Sequence, residues 1–381
     1  MTPARIRVLV VDDSGFMRRA ITKMLASAED IEVVGSASTG EEALTLEPQL
    51  RPDIITMDVE MPGMGGLEAA RAIIARRGPP VIMISSLTRE GAETTLRALE
   101  IGAVDFIPKP DSATIDIIRV KDDLIEKVRL FGTRFALRRT LTTRLAPPPA
   151  PRPSSAPAAP AVTAPAQPPS PARVAPVASA GGRRIGPFEC VAIGTSTGGP
   201  VALATVLPKL PASFPLPILI VQHMPPGFTK ALADRLNAAS EIAVVEGQNG
   251  MRLERGTAII APAGQQLTLR RSGAHVEVRL DADLRKSLHV PSVDVLAAAV
   301  GETFGAASLG VILTGMGHDG VSGLAVIKKN GGYVIGQDEA SAVVYGMPRA
   351  AAVAGLVDRV VALNDVARAL CDVAGAAYTV R

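Results

Sequence analysis

At 381 residues the chain is longer than one ordinary domain, which runs roughly 100 to 200 residues, so two domains are expected. Lys plus Arg total 40 and Asp plus Glu total 37, a formal charge of +3 that gives no strong pull toward nucleic acid; 47% hydrophobic and 20% charged residues exclude a mostly disordered chain. Cys190 and Cys371 stand far apart in no C-x-x-C spacing, so neither a disulfide framework nor a zinc ribbon is indicated, and a reducing cytoplasmic setting is expected.

The apolar run at the N-terminus meets Asp12 and Asp13 before a secretory h-region could be completed, so no signal peptide is read there. Short apolar runs then alternate with amphipathic segments of helix length. Arg7 to Val11, Ile31 to Gly35, Asp53 to Met57, Pro80 to Ser85 and Ala103 to Pro108 are expected strands. Near-continuous Val, Ile and Met runs imply strands covered on both faces, hence a parallel sheet with right-handed helical crossovers. From Pro147 to Pro176, 12 of 30 residues are proline and 9 are alanine, a composition that cannot bury enough surface to order itself. It reads as a disordered tether of up to ~90 Å if fully in polyproline II, between units at 1–125 and 188–378, with 126–187 as helix end and linker.

Beyond the tether the alternation resumes with Cys190 to Thr195, Leu216 to Gln222, Ser308 to Thr314 and Gly332 to Gly336 as strands, interrupted by a hairpin-like insert at Thr257 to Leu280. Cys190 to Leu207 carries no charge, but Gly194, Gly198, Gly199 and Pro200 break it into strand, turn and helix, so no membrane insertion is expected. The fold class is therefore α/β twice: a flavodoxin-like five-stranded unit, then a doubly wound unit with a hairpin insert.

Asp12 and Asp13 end the first strand, Asp58 the third, and Lys109 follows the fifth; in an open parallel sheet these ends share one crevice. Three carboxylates there repel by ~4 kcal/mol per pair at about 4 Å and an effective dielectric of ~20, so they call for a cation, and Mg²⁺ is the hard ion that suits them. Ser85, ending the fourth strand, supplies a hydroxyl. With D-D, D-V-E-M-P-G-M-G-G, I-S-S and P-K-P at the four strand ends, residues 5 to about 125 closely resemble a response-regulator receiver domain. The resemblance implies Asp58 as phospho-acceptor and Asp12, Asp13, Asp58 and the Glu60 carbonyl as Mg²⁺ ligands. It further implies Ser85 and Lys109 as phosphoryl contacts and Phe106 at the place of a rotamer-switching aromatic.

Gly194-Thr195-Ser196-Thr197-Gly198 fits G-x-S-x-G, which sets a serine on a tight strand-to-helix turn. A serine capping the helix, or a phosphate cradle over Gly194 to Gly199, is the competing reading. A nucleophile needs a base, and four histidines are available. His275 lies in the insert, His289 in a polar stretch ahead of a helix, and His318 beside Asp319; His223 ends a strand at the same carboxyl edge as Ser196 and is followed by a rigid M-P-P-G turn. The acid that orients it is best supplied by Asp319, in a glycine-rich turn after the strand Ser308 to Thr314. Asp294, inside a helical pattern, and Asp338, after a more distant strand, compete.

Together G-T-S-T-G-G-P, Q-H-M-P-P-G-F-T, P-S-V-D-V-L, L-T-G-M-G-H-D-G and V-Y-G-M-P-R-A resemble the chemotaxis protein-glutamate methylesterase catalytic domain. The resemblance implies hydrolysis of γ-glutamyl methyl esters on chemoreceptors with methanol release, often glutamine deamidation as well, by Ser196, His223 and Asp319. The Met316 backbone N–H is its implied oxyanion donor, and Thr197 N–H is a second donor on geometric grounds. Partners implied are methylated chemoreceptors and a chemotaxis histidine kinase as phosphodonor; no nucleic acid is expected. It also implies that the receiver covers the esterase site until Asp58 is phosphorylated, and a long tether should loosen that cover. The alternatives from other classes are a receiver-linked nucleotide- or phosphate-binding module and a DNA-binding regulator, the latter without a readable basic recognition unit after residue 187.

Overall fold

The computed structural model describes residues 5–109, 114–145, 187–273, 275–282 and 287–378. The expected Pro/Ala tether at 147–176 lies outside these residues.

The N-terminal unit runs β1 (Ile6–Val11), α1 (Gly15–Leu25), β2 (Ile31–Ala37), α2 (Gly40–Leu50), β3 (Ile54–Asp58), α3 (Gly66–Ala75), β4 (Val81–Ser85), α4 (Arg89–Glu100), β5 (Asp105–Pro108) and α5 (Thr114–Leu145). All four strand pairs are parallel, in the order β2-β1-β3-β4-β5. Each expected strand is present to within two residues at either end. Side-chain oxygens of Ser14, Thr39 and Thr88 accept from Met17 N, Glu42 N and Gly91 N, so three helices open on residues suited to serve their otherwise unpaired N–H groups. Burial of β3 and β4 along their whole length follows from helices on both faces.

The second unit runs β6 (Cys190–Thr195), α6 (Gly199–Val206), β7 (Ile218–Gln222), α7 (Phe228–Ala239), β8 (Ala243–Glu246), β9 (Thr257–Ile260), β10 (Gln266–Ser272), β11 (His275–Asp281), α8 (Val293–Phe304), β12 (Ser308–Ile312), α9 (Val321–Lys329), β13 (Tyr333–Gln337), α10 (Met347–Val353), β14 (Arg359–Val361) and α11 (Val366–Ala374). Seven strands form one parallel sheet in the order β14-β13-β12-β6-β7-β9-β8. The insert expected over Thr257 to Leu280 needs correcting. Thr257–Ile260 is β9, which pairs parallel with β7 and β8, and only β10 and β11 form the antiparallel hairpin. Pro262 and Gly264 end β9 rather than turning a hairpin from it.

Chain order reverses direction across β6: β7 lies to one side and β12 to the other. The crevice outside such a switch point is where open α/β sheets carry ligands. Cys190 is buried in β6, and burial raises its thiol pKa well above the ordinary range, so it behaves as a small apolar side chain.

The two units meet through α4, β5 and α5 of the first and α6, α7 and the segment before α10 of the second. The rings of Phe106 and Phe228 stack with centroids 4.8 Å apart. Lys127 pairs with Asp105 at 3.2 Å and Asp123 at 3.1 Å, and its ammonium donates to the Phe106 carbonyl at 2.9 Å. Arg235 forms a bidentate pair with Glu100. A small apolar cleft beside it is lined by Leu96, Leu99, Pro200, Val201, Leu232 and Leu236. Arg134 of α5 donates to the Val343 carbonyl at 2.5 Å.

Candidate active site and acidic crevice

Thr195 and Gln222 are register partners at the ends of β6 and β7, so Ser196 and His223 are the next residues on adjoining strands. The Gln222 amide ties them together, donating from Nε2 to both the Ser196 and His223 carbonyls at 2.9 Å. Gly198 has φ +76°, and a Cβ on Gly199 would lie 1.8 Å from Gln222 Oε1 and 2.4 Å from Thr195 Oγ1. The two glycines are therefore required by the bend after Ser196 and by the contact of the α6 start with β7.

His223 Nε2 lies 2.8 Å from Asp319 Oδ2, which leaves Nδ1 as the ring nitrogen not engaged by Asp319. The Asp319 carboxylate is nine-tenths buried and accepts three more hydrogen bonds: from Ser292 Oγ at 2.8 Å, Val293 N at 2.7 Å and Asp294 N at 3.0 Å. Burial alone would raise this carboxyl, but the hydrogen bond and charge of His223 and the backbone donors outweigh it and hold the group well below the usual carboxylate range. Asp319 is thus an anion at any physiological pH.

Gly315 follows β12 and packs against the nucleophile turn, since a Cβ there would lie 2.9 Å from Ser196 Cβ. Among the described residues neither Met316 N nor Thr197 N donates to a protein acceptor. Asp338 is engaged elsewhere, accepting from Ser341 N at 3.0 Å. His318 is exposed, and His275 lies in β11.

Two residues that the sequence ranks behind His223 and Asp319 lie next to them. His289, set aside as part of a polar stretch, stacks its ring on His223 with centroids 4.1 Å apart and planes 12° from parallel. Asp294, expected inside a helical pattern, stands in the first turn of α8, where its N–H donates to Asp319 Oδ1 and its carboxylate accepts from Gly320 N. The P-S-V-D motif contained the signal for both, because it places a polar N-terminal turn directly after His289.

In the first unit Asp12, Asp13 and Asp58 bring ligand oxygens within 4.8 Å of one another, with Asp12 and Asp58 buried and Asp13 exposed. Lys109 Nζ lies 2.8 Å from Asp58 Oδ2 and 3.8 Å from Asp12 Oδ2. Glu60 N donates to Asp58 Oδ1 at 3.2 Å. Burial first, then the Asp12 charge, pushes the Asp58 pKa up to about 6 against the pull of Lys109. Asp12 Oδ2 is buried and accepts no hydrogen bond. Hard carboxylate oxygens, one without a donor, fit a divalent cation. Ser85 departs from expectation: its hydroxyl donates to the Ser86 and Gly91 carbonyls at 3.2 Å and accepts from Thr95 Oγ1 at 2.7 Å, so it is turned into the start of α4.

A carboxylate crevice at the strand ends of one parallel sheet and a Ser, His and Asp grouping at the switch point of another are the two candidate sites, the pattern of a receiver domain joined to an α/β hydrolytic domain. The response regulator receiver domain family model matches residues 8–118 and the CheB methylesterase model residues 191–370. A protein-glutamate methylesterase/protein-glutamine glutaminase 2 of Nitratidesulfovibrio vulgaris is 48% identical over 366 residues, covering 96% of this chain and 98% of its own. One of Alkalilimnicola ehrlichii is 46% identical over 385 residues, covering 96% and 99%. The crystal structure of the Thermotoga maritima CheB methylesterase catalytic domain shares 39% identity at a TM-score of 0.48, covering 49% of this chain and 98% of that one. The chain belongs to the CheB methylesterase family, with an N-terminal receiver domain. None of its described helices is long and apolar enough to cross a membrane.

Proposed function

We propose that this protein is a cytoplasmic, phosphorylation-activated hydrolase of glutamate γ-methyl esters on chemoreceptors, with glutamine deamidation as a second reaction of the same site. The observation that carries the reading is the 2.8 Å His223–Asp319 contact on the strand next to Ser196. Relatives named for both reactions over almost the whole chain support it.

In the proposed chemistry Ser196 Oγ attacks the ester carbonyl and gives its proton to Nδ1 of His223, while Asp319 holds the ring and stabilises the imidazolium. The N–H groups of Met316 and Thr197 receive the oxyanion. Collapse breaks the C–O bond, the imidazolium protonates the leaving methoxide, and methanol departs. Water then enters, is deprotonated by His223, and releases the glutamate carboxylate with Ser196 Oγ reprotonated. With a glutamine amide the leaving group is ammonia and the remaining steps are the same.

In the receiver, Asp12, Asp13, Asp58 and the Glu60 carbonyl would hold Mg²⁺, which would neutralise charge on an incoming phosphoryl group. Asp58 Oδ attacks the phosphohistidine of a chemotaxis histidine kinase, an O–P bond forming as the N–P bond breaks and the kinase imidazole leaves, and Lys109 and, after rotation of its hydroxyl, Ser85 contact the phosphoryl oxygens. A phosphoryl group adds about 1.5 to 2 negative charges, which loosens the packing of α4, β5 and α5 on the hydrolase unit and opens the site. Unpaired thiols at Cys190 and Cys371 agree with a reducing compartment. The phosphate-cradle alternative has no support in the relatives.

The test is methanol release from a methylated chemoreceptor fragment, with and without a small-molecule phosphodonor and Mg²⁺, by the full chain and by Ser196→Ala. Release that rises with phosphodonor and disappears in the variant is expected. Release that persists in Ser196→Ala would refute the proposed nucleophile.

A further inference from the structure

The opening N–H groups of a helix have no partner inside it and must be served from elsewhere. In α8 the N-cap residue Ser292 does not serve them with its own side chain. Val293 N and Asp294 N donate instead to the carboxylate of Asp319, which stands just before α9. Helix α9 has the mirror requirement: its N-cap is Gly320, at φ +108° and without a side chain to offer. Gly320 N and Gly323 N donate to Asp294 Oδ1 at 2.9 and 2.8 Å. Each helix is thus capped by a carboxylate that the other helix, or its leading loop, carries.

We infer that Asp294 is a positioning residue for hydrolysis, fixing the Asp319 carboxylate against His223 through its two hydrogen bonds to the start of α9. The inference rests on the proposed Ser196–His223–Asp319 chemistry.

The geometry makes the link stiff. Both donors converge on one oxygen of Asp294, and one of them is the N–H of Gly320, the residue that directly follows Asp319. The cap position is closed to a side chain, since a Cβ on Gly320, at φ +108°, would lie 2.9 Å from Val293 Cγ1, and the helices themselves approach so closely that a Cβ on Gly323 would lie 2.3 Å from the Asp294 carbonyl. On the other side Ser292 Oγ and the two α8 amides take three of the four hydrogen bonds that Asp319 accepts, leaving Oδ2 to share between Val293 N and His223. A rotation of the loop at Gly320 would therefore break the α8 cap and the histidine contact together. Two carboxylates so near one another repel, and burial and the Asp319 charge both raise the Asp294 carboxyl. An uncharged acceptor of the same shape would meet the geometric need without that repulsion.

This separates the hydrogen-bonding role from the charge. Asp294→Asn keeps an oxygen for Gly320 and Gly323, whereas Asp294→Ala removes it. The assay is methyl-ester hydrolysis by the full chain in the presence of phosphodonor, with active molecules counted by a covalent serine-directed phosphonate so that a smaller folded fraction does not enter kcat. We expect Asp294→Ala to lower kcat per titrated site ~10- to 100-fold with KM nearly unchanged, the size of loss that follows misplacement of a reacting group by about 1 Å. Asp294→Asn should stay within about threefold of the wild type. If Asp294→Ala yields no folded protein, Asp294→Ser, whose hydroxyl is one atom shorter, takes its place with the same expected drop. Equal losses in the Asn and Ala variants, or an unchanged kcat per site in the Ala or Ser variant, would overturn the inference. Asp319→Ala, run alongside, keeps the two readings apart. If it is inert the proposed triad fails, and if it is severe while Asp294→Ala is silent only the positioning role fails.

Discussion

Removing the charge of Asp58 should stabilise the receiver, and the pH at which it does so follows from the crevice. Asp58 is fully buried and its pKa is raised to about 6, with burial as the largest cause and Asp12 adding to it. A carboxyl whose folded pKa lies above its unfolded value binds more protons when folded, so its ionised form weakens the fold above pH ~6, and the penalty fades below pH ~4. The rise from 3.8 to about 6 corresponds to ~3 kcal/mol at 1.36 kcal/mol per pH unit. Asp58→Asn abolishes that penalty but replaces the charge-assisted bond from Lys109 with a neutral one, a loss of ~1 to 2 kcal/mol. The net gain expected at pH 8 in EDTA is therefore ~1 to 2 kcal/mol, or roughly 4 to 12 °C in the receiver transition. At pH 4.5 the variant should be no more stable than the wild type. Added Mg²⁺ should close the gap at pH 8 by binding the wild-type carboxylates. Calorimetry of the full chain at both pH values reads this. A variant less stable than wild type at pH 8 in EDTA, or one stabilised equally at pH 4.5, would refute the electrostatic account.

Other outcomes follow from the same structure. Asp319→Asn cannot accept all four hydrogen bonds now made by the carboxylate, and we expect ester hydrolysis to fall by ~10³ to 10⁴ in kcat; a loss below tenfold would speak against its role. Phe228→Ala removes the ring stacked on Phe106, and an interface weakened by ~1 to 2 kcal/mol should raise basal hydrolysis roughly 5- to 30-fold while leaving phosphodonor-stimulated hydrolysis unchanged. Equal basal rates would mean that the stack does not hold the closed form. Deleting Pro151 to Pro171, within the Pro/Ala stretch expected to be a tether, should raise the effective concentration of the receiver at the hydrolase unit and lower basal activity, and unchanged basal hydrolysis would count against the tether argument.

The main strands were legible because parallel strands buried on both faces must be written as apolar runs, and β1, β6 and β7 are such runs. Candidate site residues are legible where a strand end fixes their place: Asp58, Ser196 and His223 are each at or next to one. The edge strands β8 and β14 are short and only partly buried, so their composition carried little signal. Strand β9 was drawn into the hairpin because parallel pairing with β7 is a long-range event that leaves no local mark. The Ser85 hydroxyl direction depends on Thr95, ten residues on and across a helix turn. The His289 stack and the reciprocal capping of α8 and α9 likewise join loops whose meeting is decided by the finished sheet and not by neighbouring residues.

The pairing of Cys190 with Ser308 has a consequence for biosynthesis. Strand β6 is made early, yet its β12 neighbour emerges on the order of a hundred residues later, an interval of ~6 to 24 s at usual ribosomal rates. Strand β7 arrives sooner, so the nascent sheet grows first on one side of β6 and keeps its other edge open. All of the receiver has by then left the ribosome, and the face carrying Phe106 is available to α7 as soon as Phe228 appears. The receiver would then act as a neighbour that shields half-built apolar surface during synthesis, before it has any signal to transmit.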